Sequence, residues 1–156
     1  MSAPVRATST SVGSRRDAMS SMTPIMVRDG ELKGLLKYRT PFVLGHDGAG
    51  VVTRVGSAVR DFQVGDEVYA RPRDLWIGTF AEYIAIDQDD VAPTPASLIL
   101  HEAAAVPLVS LAAWQALVDR AHVKPGQKFL LVHAGSGGLG STVIQLAKHL
   151  GATVAT

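Results

Sequence analysis

The sequence predicts an α/β protein, in which a partial β-barrel domain precedes the first β-α-β unit of a doubly wound parallel sheet. Short β-type runs between glycines and prolines fill the first part of the chain, and helical spacing begins after Pro95. An apolar run over residues 128–134 then leads into a glycine-rich loop. We therefore divide the chain into a tail (1–24), a β domain (25–105) and the start of the parallel-sheet domain (106–156).

The composition is that of a globular protein with little net charge. Of the 156 residues 47% are hydrophobic, and 15 basic residues oppose 14 acidic ones. This balance gives no electrostatic reason to expect nucleic acid or an acidic membrane as a partner. The longest apolar stretch, Ala103 to Val118, contains Pro107 and is shorter than the roughly 20 residues of a membrane span. We expect neither nucleic acid nor a membrane to be a partner.

The chain contains no cysteine. This excludes disulfides, thiolate nucleophiles, and cysteine-ligated zinc or iron–sulfur sites. The lack of cysteine fits a reducing compartment, and the sequence shows no membrane-spanning run. A cytoplasmic location is therefore the default expectation.

Residues 1–24 are rich in serine, threonine, alanine and arginine, and they show neither strand nor helix periodicity. We predict that they form a disordered, solvated tail. Arg6, Arg15 and Arg16, opposed by Asp17 alone, also resemble an organelle targeting segment. The sequence leaves that second interpretation open.

Residues 25–105 carry the pattern of a small barrel-like β domain. Strands are predicted at Phe42–Leu44, Gly50–Val55, Glu67–Ala70 and Phe80–Ile86. Between the second and third, Gly65 predicts a tight turn with a positive φ. Two helices are predicted after the strands, one from an N-cap at Ser97 to about Ala105, the other from about Leu108 to Arg120.

The glycine-rich loop matches the pattern G-x-G-x-x-G at Gly135, Gly137 and Gly140. A helical pattern capped by Gly151 follows, and a second strand begins after it. In this setting the first glycine makes the tight turn, the second lets a pyrophosphate reach the backbone, and the third lets helix and strand pack closely. Because free N–H groups at the helix start favour phosphates, we predict a dinucleotide-binding loop. Its residues are Gly135, Ser136, Gly137, Gly138, Leu139 and Gly140.

The position that distinguishes NAD from NADP lies near the end of the second parallel strand. The sequence stops there, at Thr156. The residues therefore leave the choice between the two cofactors open.

Five motifs in order resemble those of the medium-chain dehydrogenase/reductase superfamily. They are Gly45-His46-Asp47-Gly48-Ala49-Gly50, Gly65-Asp66-Glu67-Val68, Gly78-Thr79-Phe80-Ala81-Glu82-Tyr83, the helical segments Ala103–Pro107 and Ala113–Leu117, and the Gly135–Gly140 loop. The resemblance implies a GroES-like β-barrel catalytic domain, a Rossmann domain that binds NAD(P)H, and a substrate cleft between them. Within the superfamily, the chain is similar to the quinone-oxidoreductase-like members. That similarity implies NADP as the cofactor, while NAD stays open. It also implies a quinone, an enone or a related small carbonyl compound as the hydride acceptor.

His46 stands where zinc-dependent members of that superfamily have a metal-ligand histidine. A catalytic zinc needs three protein ligands, and the cysteine that those members carry near the position of Ile25 is absent. We therefore expect no metal, and we take His46 and Asp47 as the candidate catalytic residues, with His46 as a hydrogen-bonded residue of the cleft. Weaker candidates, for which packing is the preferred interpretation, are Tyr38, Tyr83 and His133.

Two departures from the family pattern predict an incomplete form. Strands expected before Met26 are replaced by residues 1–24, and the parallel sheet stops at its second strand. We expect a fragment that binds cofactor weakly or not at all, and that could form homo-oligomers through an exposed sheet edge. Two alternatives stay open: a fragment of a zinc-dependent alcohol dehydrogenase, and a non-catalytic remnant that acts only through protein association.

Overall fold

The computed structural model describes residues 4–9, 22–31, 33–34, 39–73, 78–126 and 130–156. The candidate Tyr38 and the tail residues 10–21 lie outside the described residues. The chain divides into two compact units, Met1–Pro107 and Leu108–Thr156. An antiparallel sheet forms the first unit and a parallel β-α-β unit belongs to the second, so the predicted α/β class is confirmed.

The first unit is built on a five-stranded sheet with the order β4-β1-β2-β3-β5. All its pairings are antiparallel. The strands are β1 (Pro4–Ser9), β2 (Gly48–Val55), β3 (Glu67–Ala70), β4 (Tyr83–Asp87) and β5 (Val91–Pro93). Two helices accompany them, α1 (Met22–Asp29) and α2 (Leu100–Ala103).

The two edge strands of this sheet, β4 and β5, are joined by a single 3-10 turn, Gln88–Asp90. The Asp87 side chain caps this turn by accepting a hydrogen bond from the Asp89 N–H at 3.1 Å. In a flat sheet the outer strands of five would lie about 19 Å apart, at about 4.8 Å per strand, whereas three residues of 3-10 helix advance the chain by only about 6 Å. The sheet must therefore curve until its edges approach each other, which is the barrel-like curvature that the sequence predicts.

A cluster of valines fills the concave side of the curved sheet. Val5, Val52 and Val68 are 0%, 1% and 2% exposed, and Val59 joins them from the loop after β2. Burying an aliphatic side chain of this size contributes about 1.5–3 kcal/mol relative to leaving it exposed. The first unit therefore has its own hydrophobic core, to which β1 contributes one of the most buried residues.

The predicted disorder of residues 1–24 is wrong for Pro4–Ser9, and a helix begins at Met22. β1 lies between β2 and β4, with Val5 opposite Val55 on one side and Ile86 on the other. Its own sequence carries a weak strand signal, because one valine and one alanine alternate with polar residues. Pairing on both sides and the complete burial of Val5 supply the stability that local propensity lacks.

Two further predictions change in detail. Phe42–Leu44 is not a strand, and Phe42 and Val43 are exposed. The helix predicted from Ser97 is the shorter α2, for which Ile99 is the N-cap and the Glu102 carboxylate accepts the Ile99 N–H at 3.2 Å. The predicted strand Glu67–Ala70 and the positive φ of Gly65 (99°) are both confirmed.

The second unit combines a long helical segment with the β-α-β unit. The helical segment begins as α3 (Pro107–Trp114) and continues as a π-helix over Gln115–Arg120. The β-α-β unit consists of β6 (Leu130–Leu131), α4 (Gly138–His149) and β7 (Val154–Ala155), and β6 and β7 pair in parallel. Leu117, Ala147 and Ala152 are buried in this unit and form a core cluster of their own.

α4 ends in a Schellman motif, which confirms the αL cap predicted at Gly151. The Gly151 N–H donates to the Lys148 carbonyl at 3.0 Å, and the Ala152 N–H donates to the Ala147 carbonyl at 2.9 Å. Gly151 has a φ of 84°. This conformation satisfies the last carbonyls of the helix and turns the chain into β7.

Replacing Gly151 by alanine is expected to lower the free energy of unfolding by about 1–2 kcal/mol, because the left-handed conformation is less stable by that amount for an L-residue. A Cβ at Gly151 would also lie 3.2 Å from Pro125 Cα. Urea denaturation followed by circular dichroism measures the loss. Gly151→Asn should lose less, since asparagine tolerates this conformation better. A Gly151→Ala variant as stable as the wild type would contradict the assignment.

Candidate functional site

Two loops that carry sequence motifs are hydrogen-bonded to each other, and we refer to residues 44–47 and 78–80 as the paired loops. The Gly45 carbonyl accepts the N–H groups of Gly78 at 2.9 Å and Thr79 at 3.4 Å. The Leu44 carbonyl accepts the Phe80 N–H at 2.9 Å. Motifs separated by more than thirty residues in the sequence therefore meet at the start of β2.

Gly45 is required at this junction for two independent reasons. Its φ is 107°, a conformation that L side chains rarely adopt. A Cβ on Gly45 would collide with Thr79 Oγ1 and would lie 2.8 Å from the Phe80 backbone nitrogen. Both the backbone angle and the close approach of the second loop therefore demand glycine.

The paired loops carry the two polar residues that are buried in the described part of the chain, His46 and Thr79. His46 is 7% exposed and Thr79 is fully buried, and Asp47 beside them is partly buried. His46 and Asp47 thus lie together in the loop that enters β2. An imidazole and a hydroxyl are therefore both buried where the two loops meet.

Sequence reasoning selected His46 and Asp47 but did not include Gly45 or Thr79 among the site residues. The available signal was the pair of glycines, Gly45 and Gly78, in two separate motifs. Both have positive φ, 107° and 144°, and both lie where the loops meet. Paired glycines of this kind indicate close approach of two backbone segments.

One ion pair ties the segment after β3 to the 3-10 turn. Arg73 Nε donates to the Asp90 carboxylate at 2.8 Å, and the Arg73 N–H donates to the same carboxylate at 3.3 Å. The hydrogen bond that Arg73 donates to Asp90, together with the negative charge of that carboxylate, raises the pKa of Arg73 above its ordinary value. Because the arginine is charged at any physiological pH, the contact acts as an anchor and not as a titrating group.

A second candidate site lies between β6 and α4. Gly137 is the N-cap of α4 in extended conformation, and its carbonyl accepts the Ser141 N–H at 2.8 Å as the first bond of the helix. The N–H groups of Gly138, Leu139 and Gly140 therefore occupy the first turn, where a helix offers no carbonyl acceptors. Such a turn favours an anion through its free donors and the helix dipole.

Gly140 brings the helix against the loop. A Cβ on Gly140 would collide with the Ala134 carbonyl oxygen and would lie 2.8 Å from Gly135 Cα. A Cβ on Gly135 would lie 2.9 Å from Ile144 Cδ1 and 3.0 Å from Thr156 Cγ2. Larger residues at either position would push the loop away from α4 or from the chain after β7.

Gly135 lies in a tight turn, as the sequence predicts. The Ala134 carbonyl accepts the Gly137 N–H at 3.0 Å, which makes Gly135 and Ser136 the central residues of the turn. Ala134, just before them, has a φ of 57°. Gly135 also has close contacts with α4 and Thr156. The close packing predicted for the third glycine does fall on Gly140.

Two hydroxyls in the second turn of α4 donate to the same carbonyl. Ser141 Oγ lies 3.0 Å and Thr142 Oγ1 lies 2.9 Å from the Gly138 oxygen. The side chains that follow the glycine loop are therefore turned back toward the start of the helix, as the direction of helical Cβ atoms requires.

The weaker candidates Tyr83 and His133 are both exposed. Tyr83 is 48% exposed on the edge strand β4, and His133 is exposed just after β6. Within the described ranges, no three His, Cys, Asp or Glu residues are grouped so that they could hold a metal ion. The described helices include none that is long and apolar enough to cross a membrane.

Comparison with known proteins gives this arrangement a family. The sequence profile of the alcohol dehydrogenase GroES-like domain matches residues 16–96. The match contains both paired loops and begins inside the stretch that the sequence predicted to be a tail. The chain belongs to this GroES-like family of the medium-chain dehydrogenase/reductase superfamily, and the resemblance inferred from the motifs is confirmed.

Two curated relatives are similar over most of this chain. The 2-methylene-furan-3-one reductase of Solanum lycopersicum is 44% identical over 116 residues, which are 70% of this chain and 29% of that protein. The polyketide synthase GfsB of Streptomyces halstedii is 45% identical over 117 residues, which are 75% of this chain and 2% of the synthase. The chain therefore spans less than a third of either relative.

Solved structures show the same similarity. An alcohol dehydrogenase superfamily protein from Novosphingobium aromaticivorans superposes with a TM-score of 0.81 and 35% identity, over 98% of this chain and 44% of that one. The Escherichia coli quinone oxidoreductase complexed with NADPH superposes with a TM-score of 0.75 and 27% identity, over 97% of this chain and 43% of that one. These similarities support the partial GroES-like fold that the sequence predicts.

Proposed function

We propose that this protein takes part in NADPH-dependent hydride transfer to an enone, a quinone or a related small carbonyl compound. The observation that carries the proposal is the glycine loop, in which Gly140 lies against Ala134 and Gly135 at the start of α4. This close packing keeps the free N–H groups at the start of α4 beside the loop, and such groups favour a phosphate. The names of the E. coli and tomato proteins support the cofactor and the substrate class.

A bound nicotinamide cofactor would supply the hydride. The residues of the loop fit the phosphates of such a cofactor for two reasons. The N–H groups of Gly138, Leu139 and Gly140 lie in the first turn of α4. The space at Gly137 is open, since the nearest atom to a Cβ added there is the Ala134 carbonyl oxygen at 3.4 Å. Oriented N–H groups hold an anion without a counter-charge from a side chain. Gly135, Ser136, Gly137, Gly138, Leu139 and Gly140 are thus the proposed cofactor-binding residues.

His46 and Asp47 are the proposed substrate-side residues. The paired loops bury His46 beside Asp47 and next to Gly45, whose carbonyl accepts both the Gly78 and Thr79 N–H groups. Backbone hydrogen bonds between the two loops fix the position of such a site, so it can orient a substrate carbonyl without a metal. Positioning of the hydride donor and acceptor supplies much of the rate in hydride transfer. On this basis we propose a zinc-less enzyme. The cytoplasmic location is proposed separately, as the default for a chain without cysteine.

A second candidate substrate is an unsaturated acyl group carried on a polyketide chain. The 45% identity to a polyketide synthase favours it. Such an acyl thioester shares its conjugated double bond with enones and quinones, so the same hydride transfer applies. Only the group attached to the carbonyl differs.

Calorimetric titration of the purified chain with NADPH and with NADH tests the cofactor site. We expect saturable NADPH binding with a dissociation constant between about 1 µM and 1 mM, the weaker end reflecting a nucleotide held mainly through its phosphates. NADH should bind more weakly. A chain that is folded by circular dichroism and binds neither nucleotide would contradict the proposal.

Absorbance at the NADPH band then tests the substrate class. The assay compares a benzoquinone, an aliphatic enone and a crotonyl thioester of N-acetylcysteamine. Oxidation of NADPH with the quinone or enone supports the first candidate, and oxidation with the thioester alone supports the second. Nucleotide binding without turnover of any of the three would contradict hydride transfer while leaving the nucleotide site standing.

A further inference from the structure

β1 is joined to the rest of its sheet entirely by non-local pairing. Its partners are β2, from Gly50 to Val55, and β4, from Tyr83 to Asp87. The sequence between Ser9 and Gly48, 38 residues, separates it from the nearer of them. The other four strands all come from residues 48–93. β1 therefore enters a slot whose two walls are made by a different part of the chain.

The slot is specific for one register and one face. Val5 lies opposite Ile86, and both are buried, whereas Arg6 lies opposite Ala85, which is exposed. Residues directly opposite each other in antiparallel strands share a face. A strand of the β1 sequence therefore fills the slot with its valine inward, whichever copy of the chain supplies it.

We propose that β1 exchanges between copies, so that β1 of one molecule fills the slot between β2 and β4 of a second copy. Every backbone hydrogen bond of β1 and the burial of Val5 would be the same in the exchanged form. The free-energy difference between the two forms is then small, which is the condition for strand exchange. The exchange concerns the sheet alone and does not depend on the proposed hydride transfer.

Chain connectivity sets how much of the exchanged form is present. The 38 residues between Ser9 and Gly48 tie β1 to the slot of its own molecule, so a strand from another copy competes with one held at an effective concentration on the order of millimolar. Intramolecular insertion therefore dominates at micromolar concentration, and the exchanged form grows as the protein concentration approaches millimolar. Refolding at high concentration should increase it further, because free strands then meet slots of other molecules.

Because the chain has no cysteine, exchange can be trapped by introduced ones. Two full-length variants are prepared, Arg6→Cys and Ala85→Cys, whose positions are direct partners across β1 and β4. Opposite residues of antiparallel strands lie about 4.5–5.5 Å apart between Cα atoms, which a disulfide can bridge. Each variant carries one cysteine, so a yield of mixed disulfide above that of random collision indicates β1 of one molecule beside β4 of another.

The two variants are mixed in equal amounts, refolded together at several concentrations and oxidised. We expect a heterodimer between Arg6→Cys and Ala85→Cys that increases with concentration. A control mixture of Arg6→Cys with Lys148→Cys, an exposed position on α4, should give only a background of random dimers. A heterodimer yield equal to this background at every concentration would overturn the proposal.

The double variant Arg6→Cys/Ala85→Cys, kept dilute, tests the register by itself. An intramolecular disulfide there, with heterodimers in the mixture, supports exchange. An intramolecular disulfide without heterodimers shows that β1 pairs correctly and does not exchange, which overturns the proposal. Failure of the double variant to close a disulfide overturns it as well, since the slot would then not hold β1 in this register.

Discussion

Gly45→Ala is expected to lower the free energy of unfolding by about 3 kcal/mol, of which about 1–2 kcal/mol comes from the positive φ and about 1–3 kcal/mol from overpacking. The overpacking arises because a Cβ at Gly45 would collide with Thr79 Oγ1 and approach the Phe80 nitrogen to 2.8 Å. The Phe80 nitrogen is backbone and cannot rotate away. Urea denaturation followed by circular dichroism measures the effect.

Gly65→Ala is the matched control, because Gly65 also has a positive φ (99°) but has no atom within 4 Å of an added Cβ. It should lose only the conformational part, about 1–2 kcal/mol. Hydrogen exchange at the Gly78 and Phe80 amides should accelerate in Gly45→Ala and stay unchanged in Gly65→Ala, since those amides donate to the carbonyls of Gly45 and Leu44. Equal losses in the two variants would show that the paired loops are not in close contact.

Gly140→Ala is expected to lower the free energy of unfolding by about 2–3 kcal/mol through overpacking and to abolish nucleotide binding. An added Cβ would meet the backbone of the loop, at the Ala134 carbonyl and at Gly135 Cα. Relief requires α4 to move away from the loop, and its free N–H groups move with it. Denaturation and calorimetric titration with NADPH measure the two effects separately.

Gly138→Ala serves as the control for stability in the same turn. An added Cβ there meets only Val109 Cγ1 at 3.8 Å, an ordinary contact. Since alanine is a better helix former than glycine, this variant should be unchanged or more stable by about 0.5–1 kcal/mol. If Gly140→Ala were as stable as Gly138→Ala, the close packing of helix and loop would be wrong.

The sequence predicted those parts of the fold in which a local pattern and the tertiary structure agree. Glu67–Ala70 is a strand as predicted, Gly65 makes the turn before it, and Gly151 ends α4 in the left-handed region. In each case the residue type leaves few alternatives, because glycine at a positive φ or a short alternating run determines the backbone directly.

The sequence predicted a disordered tail where β1 lies and a strand at Phe42–Leu44, and both predictions are wrong for the same reason. Strand formation at β1 comes from two distant strands that pair with it, which a local pattern with one valine does not reveal. The apolar residues Phe42 and Val43 have strong strand propensity, but none of the described strands pairs with them, and the Leu44 carbonyl accepts a hydrogen bond from a loop. Long-range partners decided both outcomes.

The candidate sites show the same division. The glycine loop could be predicted because its residues are contiguous, from Gly135 to Gly140. Thr79 could not, since its burial against the loop of His46 depends on how two segments more than thirty residues apart meet. The unexpected left-handed residue, Ala134, carries no side-chain signal that distinguishes it from other alanines.

The short turn Gln88–Asp90 determines in what order the first unit can fold. The turn carries the chain from one edge of the sheet to the other. The strand before it, β4, pairs with β1, and the strand after it, β5, pairs with β3. Among the described strands, β2 and β3 are neighbours both in sequence and in the sheet. Such high contact order places the domain among slow-folding β topologies, in which loop closure limits the rate. We expect β2 and β3 to form the nucleus, and the barrel to close only after the chain has been made as far as β5.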